Sequence, residues 1–208
     1  MNEEKFLKLR IQLSSRIGSR RFAHTLGVEE EIVRLGEKYL PDDLQRLRIA
    51  ALFHDITKEW SPAAQIAYCQ KNGLPLSEAE LSSPRVLHAR TGAAVAAREF
   101  PAFVDDTILR AISLHTTGGE GMTVFDELLY LSDYIEPTRT YPECLALREY
   151  FWGGYEGAAD KELHLHRTVR RALWDTVEEL RGKNIVVFPA TLDALSYFDR
   201  IVQDRKKN

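Results

Sequence analysis

Cysteine is nearly absent from the chain. Its 208 residues hold two, Cys69 and Cys144, and neither belongs to a Cys-x-x-Cys pair. No disulfide framework can be built from them, and a reducing, cytoplasmic setting is expected. An excess of one charge sign is also missing: 28 Lys and Arg stand against 31 Asp and Glu, a formal net charge of -3. That balance argues against nucleic acid as the main partner. The basic runs Arg20-Arg21, Arg170-Arg171 and Arg205-Lys206-Lys207 have acids around them and read as solvated helix surface. Long apolar runs are missing as well. The stretches at 49–53 and 93–97 fall far short of the ~20 residues that span a bilayer, so no membrane partner is expected. The first eight residues carry Glu3 and Glu4, and no apolar segment with a small-residue cleavage site follows, so no signal peptide is expected. What is present is ordinary: 44% apolar and 28% charged residues, the composition of a globular chain long enough to bury its own core.

The apolar pattern is helical almost throughout. Phe6, Leu9, Leu13 and Ile17 recur at three- and four-residue steps. A second helix is expected from Ser19 to about Tyr39, with Phe22, Leu26, Val33 and Leu35 inward, and a third carrying Leu44, Leu47, Ala50, Ala51 and Phe53. Ser61-Pro62 opens a helix that Asn72-Gly73 closes, and Ser77 with Glu80 has capping-box spacing. Further helices are expected over 84–100, 105–114, 125–135, 158–181 and from a Thr191 cap to about 203. Ile185-Val186-Val187-Phe188 is too short to make a sheet and reads as an extended connector. Without repeats or long linkers, residues 1–208 are expected to form one all-α domain.

Two histidines and two acids stand out against this background. His54-Asp55 closes the apolar run Ala50-Ala51-Leu52-Phe53, His24 lies on the preceding helix, and Asp133 sits within Leu128-Leu129-Tyr130-Leu131-Ser132-Asp133-Tyr134-Ile135. Such groups are costly to bury unless paired or metal-bound. Two imidazoles and two carboxylates suit a divalent transition metal that keeps positions open for water and a phosphate oxygen. The plainer reading is a salt-bridged core His-Asp pair with an unrelated buried Asp, and agreement among four separate positions favours the metal.

The quartet His24, His54, Asp55 and Asp133 resembles the HD-domain superfamily of metal-dependent phosphohydrolases, an all-helical fold. The resemblance narrows with Arg21-Phe22-Ala23-His24-Thr25-Leu26-Gly27-Val28, His54-Asp55-Ile56-Thr57-Lys58, Leu87-His88-Ala89-Arg90-Thr91-Gly92-Ala93, Ala111-Ile112-Ser113-Leu114-His115-Thr116-Thr117-Gly118 and Ser132-Asp133-Tyr134-Ile135-Glu136-Pro137-Thr138-Arg139. These are similar to the YqeK-type HD proteins, the symmetrical bis(5'-nucleosyl)-tetraphosphatases. The resemblance implies an HD-domain helical bundle over about 19–137 with additional C-terminal helices over about 138–208. It implies hydrolysis of diadenosine tetraphosphate and related dinucleoside polyphosphates to two ADP by metal-activated water, with iron as the metal. The quartet would hold the ion, and His24, Asp55 and Asp133 would also touch substrate. Lys58, His88, His115, Thr116 and Arg139 would face the phosphates, with Gly27 close by. The family's C-terminal motif would line the nucleoside pocket. Thr191-Leu192-Asp193-Ala194 matches it, whereas Leu195-Ser196 replaces an aromatic and an amide, which bears on base preference.

Most of these residues also have a plainer reading. Lys58 could meet a helix C-terminus, Arg139 could pair with Glu136 or Glu143, and His88 and His115 could bind a second ion. Asp126 reads as an acid of a helix N-terminus. His164 and His166 read as surface residues, the tryptophans Trp60, Trp152 and Trp174 as core or interface, and Phe151-Trp152 as an exposed aromatic surface able to support a homodimer. The competing functions are another HD phosphohydrolase, acting on mononucleotides or a cyclic dinucleotide, a non-catalytic metal-dependent nucleotide-binding module, and a helical interaction protein whose His-Asp pair is structural.

Overall fold

The structure, a computed structural model, describes residues 3–205. Lys206 and Lys207 of the C-terminal basic run lie outside them. Among the described residues there are eleven α-helices, two short 3-10 turns and no strand: α1 (Glu3–Ser14), α2 (Ser19–Tyr39), α3 (Leu44–Phe53), α4 (Pro62–Lys71), α5 (Glu78–Ser82), α6 (Leu87–Glu99), α7 (Asp106–Leu114), α8 (Val124–Ile135), α9 (Pro142–Tyr155), α10 (Lys161–Gly182) and α11 (Pro189–Asp204). None of the described helices is long and apolar enough to cross a membrane.

Local chemistry sets most boundaries. Ser61 caps α4 through the Ala64 amide, with Pro62 in the first turn. Ser77 with Glu80 and Thr123 with Asp126 form reciprocal capping boxes on α5 and α8. Asp126 is therefore the helix-terminal acid expected, and it also pairs with Arg110. The last helix starts earlier than expected: Phe188 precedes it, Pro189 takes the first turn, and Thr191 is already inside. α9 had no counterpart in the sequence reading. Its buried residues Cys144, Leu147, Phe151 and Tyr155 do follow helical spacing, but Gly153 and Gly154 weaken the propensity.

α2 lies against α3 and α8, α3 against α7, and α7 against α6. α10 packs on α8, α9 and α11, so the C-terminal helices join the same core. The inward face of α2 is Val28, Ile32 and Leu35, with Phe22, Leu26 and Val33 only half-buried. This differs from the expected stripe because α2 also buries acids. Glu29 accepts from Arg10 of α1 and Arg48 of α3, and Glu31 accepts from Arg34 and from the Trp152 indole of α9. Leaving either carboxylate buried without partners would cost about 3–5 kcal/mol.

Two readings, the imidazole pair and the aromatic pair, are corrected by this packing. His164 and His166 are 8% and 6% exposed, not surface groups. His164 Nε2 donates to the Phe151 carbonyl, and His166 meets Glu127 and Glu162. Phe151 is fully buried and Trp152 is engaged by Glu31 and by Arg34 over its ring, so this pair offers no exposed aromatic surface for a second copy. Trp174 is 45% exposed and belongs to no core.

Candidate active site

His24 comes from the second turn of α2, His54 and Asp55 from the turn that ends α3, and Asp133 from the last turn of α8. His88 opens α6 and His115 follows α7. His54, His88 and His115 share one local device. Each Nδ1–H donates to the carbonyl three residues earlier, Ala51, Arg85 and Ile112, at 2.6, 2.6 and 2.7 Å. A carbonyl only accepts, so each ring is the tautomer whose Nε2 lone pair is free. His24 is turned the same way by a carboxylate: its Nδ1–H donates to Glu136 Oε1 at 3.0 Å.

The four Nε2 atoms converge in two pairs, His24 with His54 at 3.3 Å and His88 with His115 at 3.2 Å. Asp55 lies between them. Its Oδ2 is 3.4 Å from His54 and 3.7 Å from His24, and its Oδ1 is 3.3 Å from His88 and 3.5 Å from His115. Asp133 Oδ1 closes the first group, 3.0 Å from His24 and 3.9 Å from His54.

Electrostatics favour a cation here. Asp55 and Asp133 are both held well below the usual carboxylate range. Burial opposes their charge, but His54, His115 and Lys58 outweigh it for Asp55, as Arg139 and His24 do for Asp133. Burial pushes His54 down, against the pull of Asp55 and Asp133. His24 is also desolvated, yet its bonds to Asp133 and Glu136 raise it to about 9, so with no ion bound it carries a proton. Asp55 Oδ1 is buried without a hydrogen-bond partner. An orphaned carboxylate oxygen beside paired imidazole nitrogens fits a divalent transition metal. His24, His54 and Asp133 form one group able to hold an ion, and His54, Asp55 and His115 form another.

Lys58 occupies the His88 side. Its ammonium donates to His88 Nε2 at 2.9 Å and lies 3.9 Å from Asp55 Oδ1. Burial, Lys58 and His115 push His88 down to about 3, so this imidazole is neutral and acts as an acceptor for Lys58 and the Thr116 hydroxyl. Arg139 is engaged by neither Glu136 nor Glu143 but by Asp133, whose carboxylate and carbonyl both accept from it at 2.6 Å.

A cavity of about 450 Å³ opens beside the centre, lined by Lys58, His115, Thr116, Asp133 and Arg139 together with Tyr134, Thr176 and Lys183. Two sequence-based placements differ from this. Gly27 does not line this cavity: a Cβ there would come within 2.3 Å of Glu136 Oε2, so glycine makes room for the carboxylate that holds His24. The segment Thr191, Leu192, Asp193, Ala194, Leu195, Ser196 does not line this cavity, to which α10 contributes Thr176 and Glu179. Ala194 is buried against Gly118 (φ +65°), in the loop that follows His115 and Thr116. Two residues without an expected role at the centre join it: Arg21 donates to Asp55 Oδ2 at 2.6 Å, and Glu136 accepts from His24 Nδ1. Both carry a sequence signal, since each lies three residues from a member of the His-Asp quartet, Arg21 from His24 and Glu136 from Asp133.

The HD domain family matches residues 21–138. The chain belongs to the HD-domain family. It is 30% identical over 191 residues to "Bis(5'-nucleosyl)-tetraphosphatase, symmetrical" of Bacillus subtilis (strain 168), covering 92% of this chain and 94% of that one. It is 28% identical over 206 residues to the protein of the same name from Halalkalibacterium halodurans, covering 99% and 100%. A crystal structure described as a predicted HD superfamily hydrolase involved in NAD metabolism, from Clostridium acetobutylicum, superposes with a TM-score of 0.82 at 28% identity, over 94% of this chain and 97% of that one. The all-α HD fold and a metal-dependent phosphohydrolase activity follow for this HD protein.

Proposed function

We propose that this HD protein hydrolyses diadenosine tetraphosphate and related dinucleoside polyphosphates symmetrically, adding one water across the central anhydride to give two ADP. The observation that carries the reading is the convergence of His24, His54, Asp55 and Asp133 beside a cavity whose lining includes Lys58, Arg139 and Thr116. The names of the full-length relatives support the substrate.

The quartet would hold a divalent metal, iron by family resemblance, which supplies Lewis-acid polarisation of a phosphate oxygen and acidifies the attacking water. Lys58 and Arg139 neutralise charge on the tetraphosphate. Arg139, fixed by Asp133, presents a planar fork. Lys58 is aimed by His88, and its ammonium is the proton donor in that corner, because His88 is neutral with its free nitrogen already accepting. Lys58 also places a positive charge beside Asp55 Oδ1, where a second ion would otherwise sit. This favours a phosphate-facing role for His88, His115 and Thr116.

The test is product analysis. Protein reconstituted anaerobically with ferrous iron is incubated with diadenosine tetraphosphate beside an Asp55→Ala control, and products are separated by ion exchange. ADP as sole nucleotide product, lost in the control, is expected. ATP with AMP, or no turnover by the metal-loaded protein, would overturn the reading.

A further inference from the structure

The metal centre faces two cavities. Asp133 lines the larger and His24 lines a second of about 200 Å³, and these two side chains approach to 3.0 Å. The two spaces therefore meet at the ligands, with Arg139 and Tyr141 lining both.

Their linings differ in kind. The larger carries tyrosines and the carboxylates Glu143 and Glu179 beside its cations. The smaller carries three arginines, Arg20, Arg21 and Arg139, with Thr138 and Thr140. Its carboxylate, Glu136, is already used by His24 Nδ1 and by the Thr138 amide and hydroxyl. Arg21 gives one N–H to Asp55, while its Nε is buried with no partner. Arg20 is exposed and makes no ion pair with any described residue. Both arginines stand in the first turn of α2, where the helix dipole adds positive potential.

We propose that this arginine groove is the second nucleotide subsite, holding the diphosphate of the departing half of the substrate. The inference rests on the symmetrical cleavage proposed above. A cut at the centre of four phosphates leaves an identical diphosphate on each side, so two anionic arms run in opposite directions from the scissile bond. Lys58 serves the arm in the tyrosine-lined cavity, Arg20 and Arg21 serve the other, and Arg139 sits at the boundary. The groove is less than half the size of the larger cavity. It takes phosphates by guanidinium forks and leaves the distal nucleoside toward solvent, so the departing base is read loosely.

Equilibrium dialysis of ADP against the metal-loaded protein tests this without turnover. Wild type is expected to bind two ADP per chain, Arg20→Glu one, and Arg20→Lys two, with metal content equal in all three. The KM for diadenosine tetraphosphate should rise about tenfold in Arg20→Glu, the size of one lost charge-assisted bond. One ADP per wild-type chain, or two in Arg20→Glu, would overturn the inference. Wild type that makes ADP from the dinucleotide but binds one ADP sinks this subsite alone. Wild type that binds two ADP without hydrolysing the dinucleotide sinks the proposed reaction and leaves the groove as a nucleotide site.

Discussion

Glu136 Oε1 stands 3.0 Å from His24 Nδ1 and fixes which nitrogen of that ring faces the metal centre. Thr138 clamps the same carboxylate through its amide at 2.6 Å and its hydroxyl at 2.7 Å. Orienting carboxylates of this kind raise ligand basicity, and losing one typically weakens metal binding 10–100-fold. Glu136→Ala should therefore lower ferrous-iron affinity by about 10–100-fold, while Glu136→Gln, which keeps an acceptor oxygen, should lose less. Competition against a chromogenic chelator measures both. Equal affinity in wild type and Glu136→Ala would remove Glu136 from the site.

Gly27→Ala should reproduce that defect by sterics. The new Cβ would lie 2.3 Å from Glu136 Oε2 and 3.1 Å from its Cδ, and the clamped carboxylate cannot turn aside without leaving His24 or Thr138. Because both substitutions act through one contact, their effects on metal affinity should not add. A double-mutant cycle read by chelator competition checks this, and full additivity would show that Gly27 acts elsewhere. Thermal stability should hold up better than affinity, since alanine is favoured over glycine in a helix interior by about 1 kcal/mol.

The distance between what the sequence discloses and what it hides is clear at these two residues. Capping residues, apolar spacing and the His-Asp dipeptide are local signals, and they place α4, α5, α7 and the turn that carries His54 and Asp55. Gly27 reads as a phosphate neighbour until its missing Cβ is set against a side chain from the end of α8. His164 and His166 look like surface groups because adjacent charges mask a face that tertiary packing buries. α9 is hidden by its paired glycines, and Thr191–Ser196 keeps a motif whose visible role is to support the loop after His115. For Gly27, His166 and Ala194 the deciding partners, Glu136, Glu127 and Gly118, are remote in sequence.

Lys58 gives a prediction that separates charge stabilisation from metal binding. Its ammonium is 2.9 Å from His88 Nε2 but is not a ligand. Lys58→Met should cut kcat by about 10²-fold, the usual cost of one preorganised donor to developing charge, with bound iron unchanged. Parallel metal analysis and steady-state kinetics check this. Loss of iron in step with activity would mean that Lys58 serves the centre's assembly instead.

The buried pair His166 and Glu127 should make stability fall as pH rises, independently of the metal centre. Burial pushes Glu127 up to about 7, against the pull of the His166 ring at 2.8 Å. Burial opposes charge on His166, but Glu127 and Glu162 raise it above its usual value. Asp126 of α8 faces Arg110, and Arg205 of the turn after α11 faces Glu162, so these are the other charges around the pair. Both groups thus hold a proton more tightly folded than unfolded. Their contribution is full below the unfolded values, about 4.5 for Glu127, and is lost as pH climbs through 7 and beyond. For a chain of this length each kcal/mol lost lowers Tm by about 2–4 °C. Scanning calorimetry from pH 5.5 to 8 should show Tm of wild type falling more steeply than that of Glu127→Gln, which stays neutral throughout. Parallel curves for the two proteins would show that the pair does not titrate in this window.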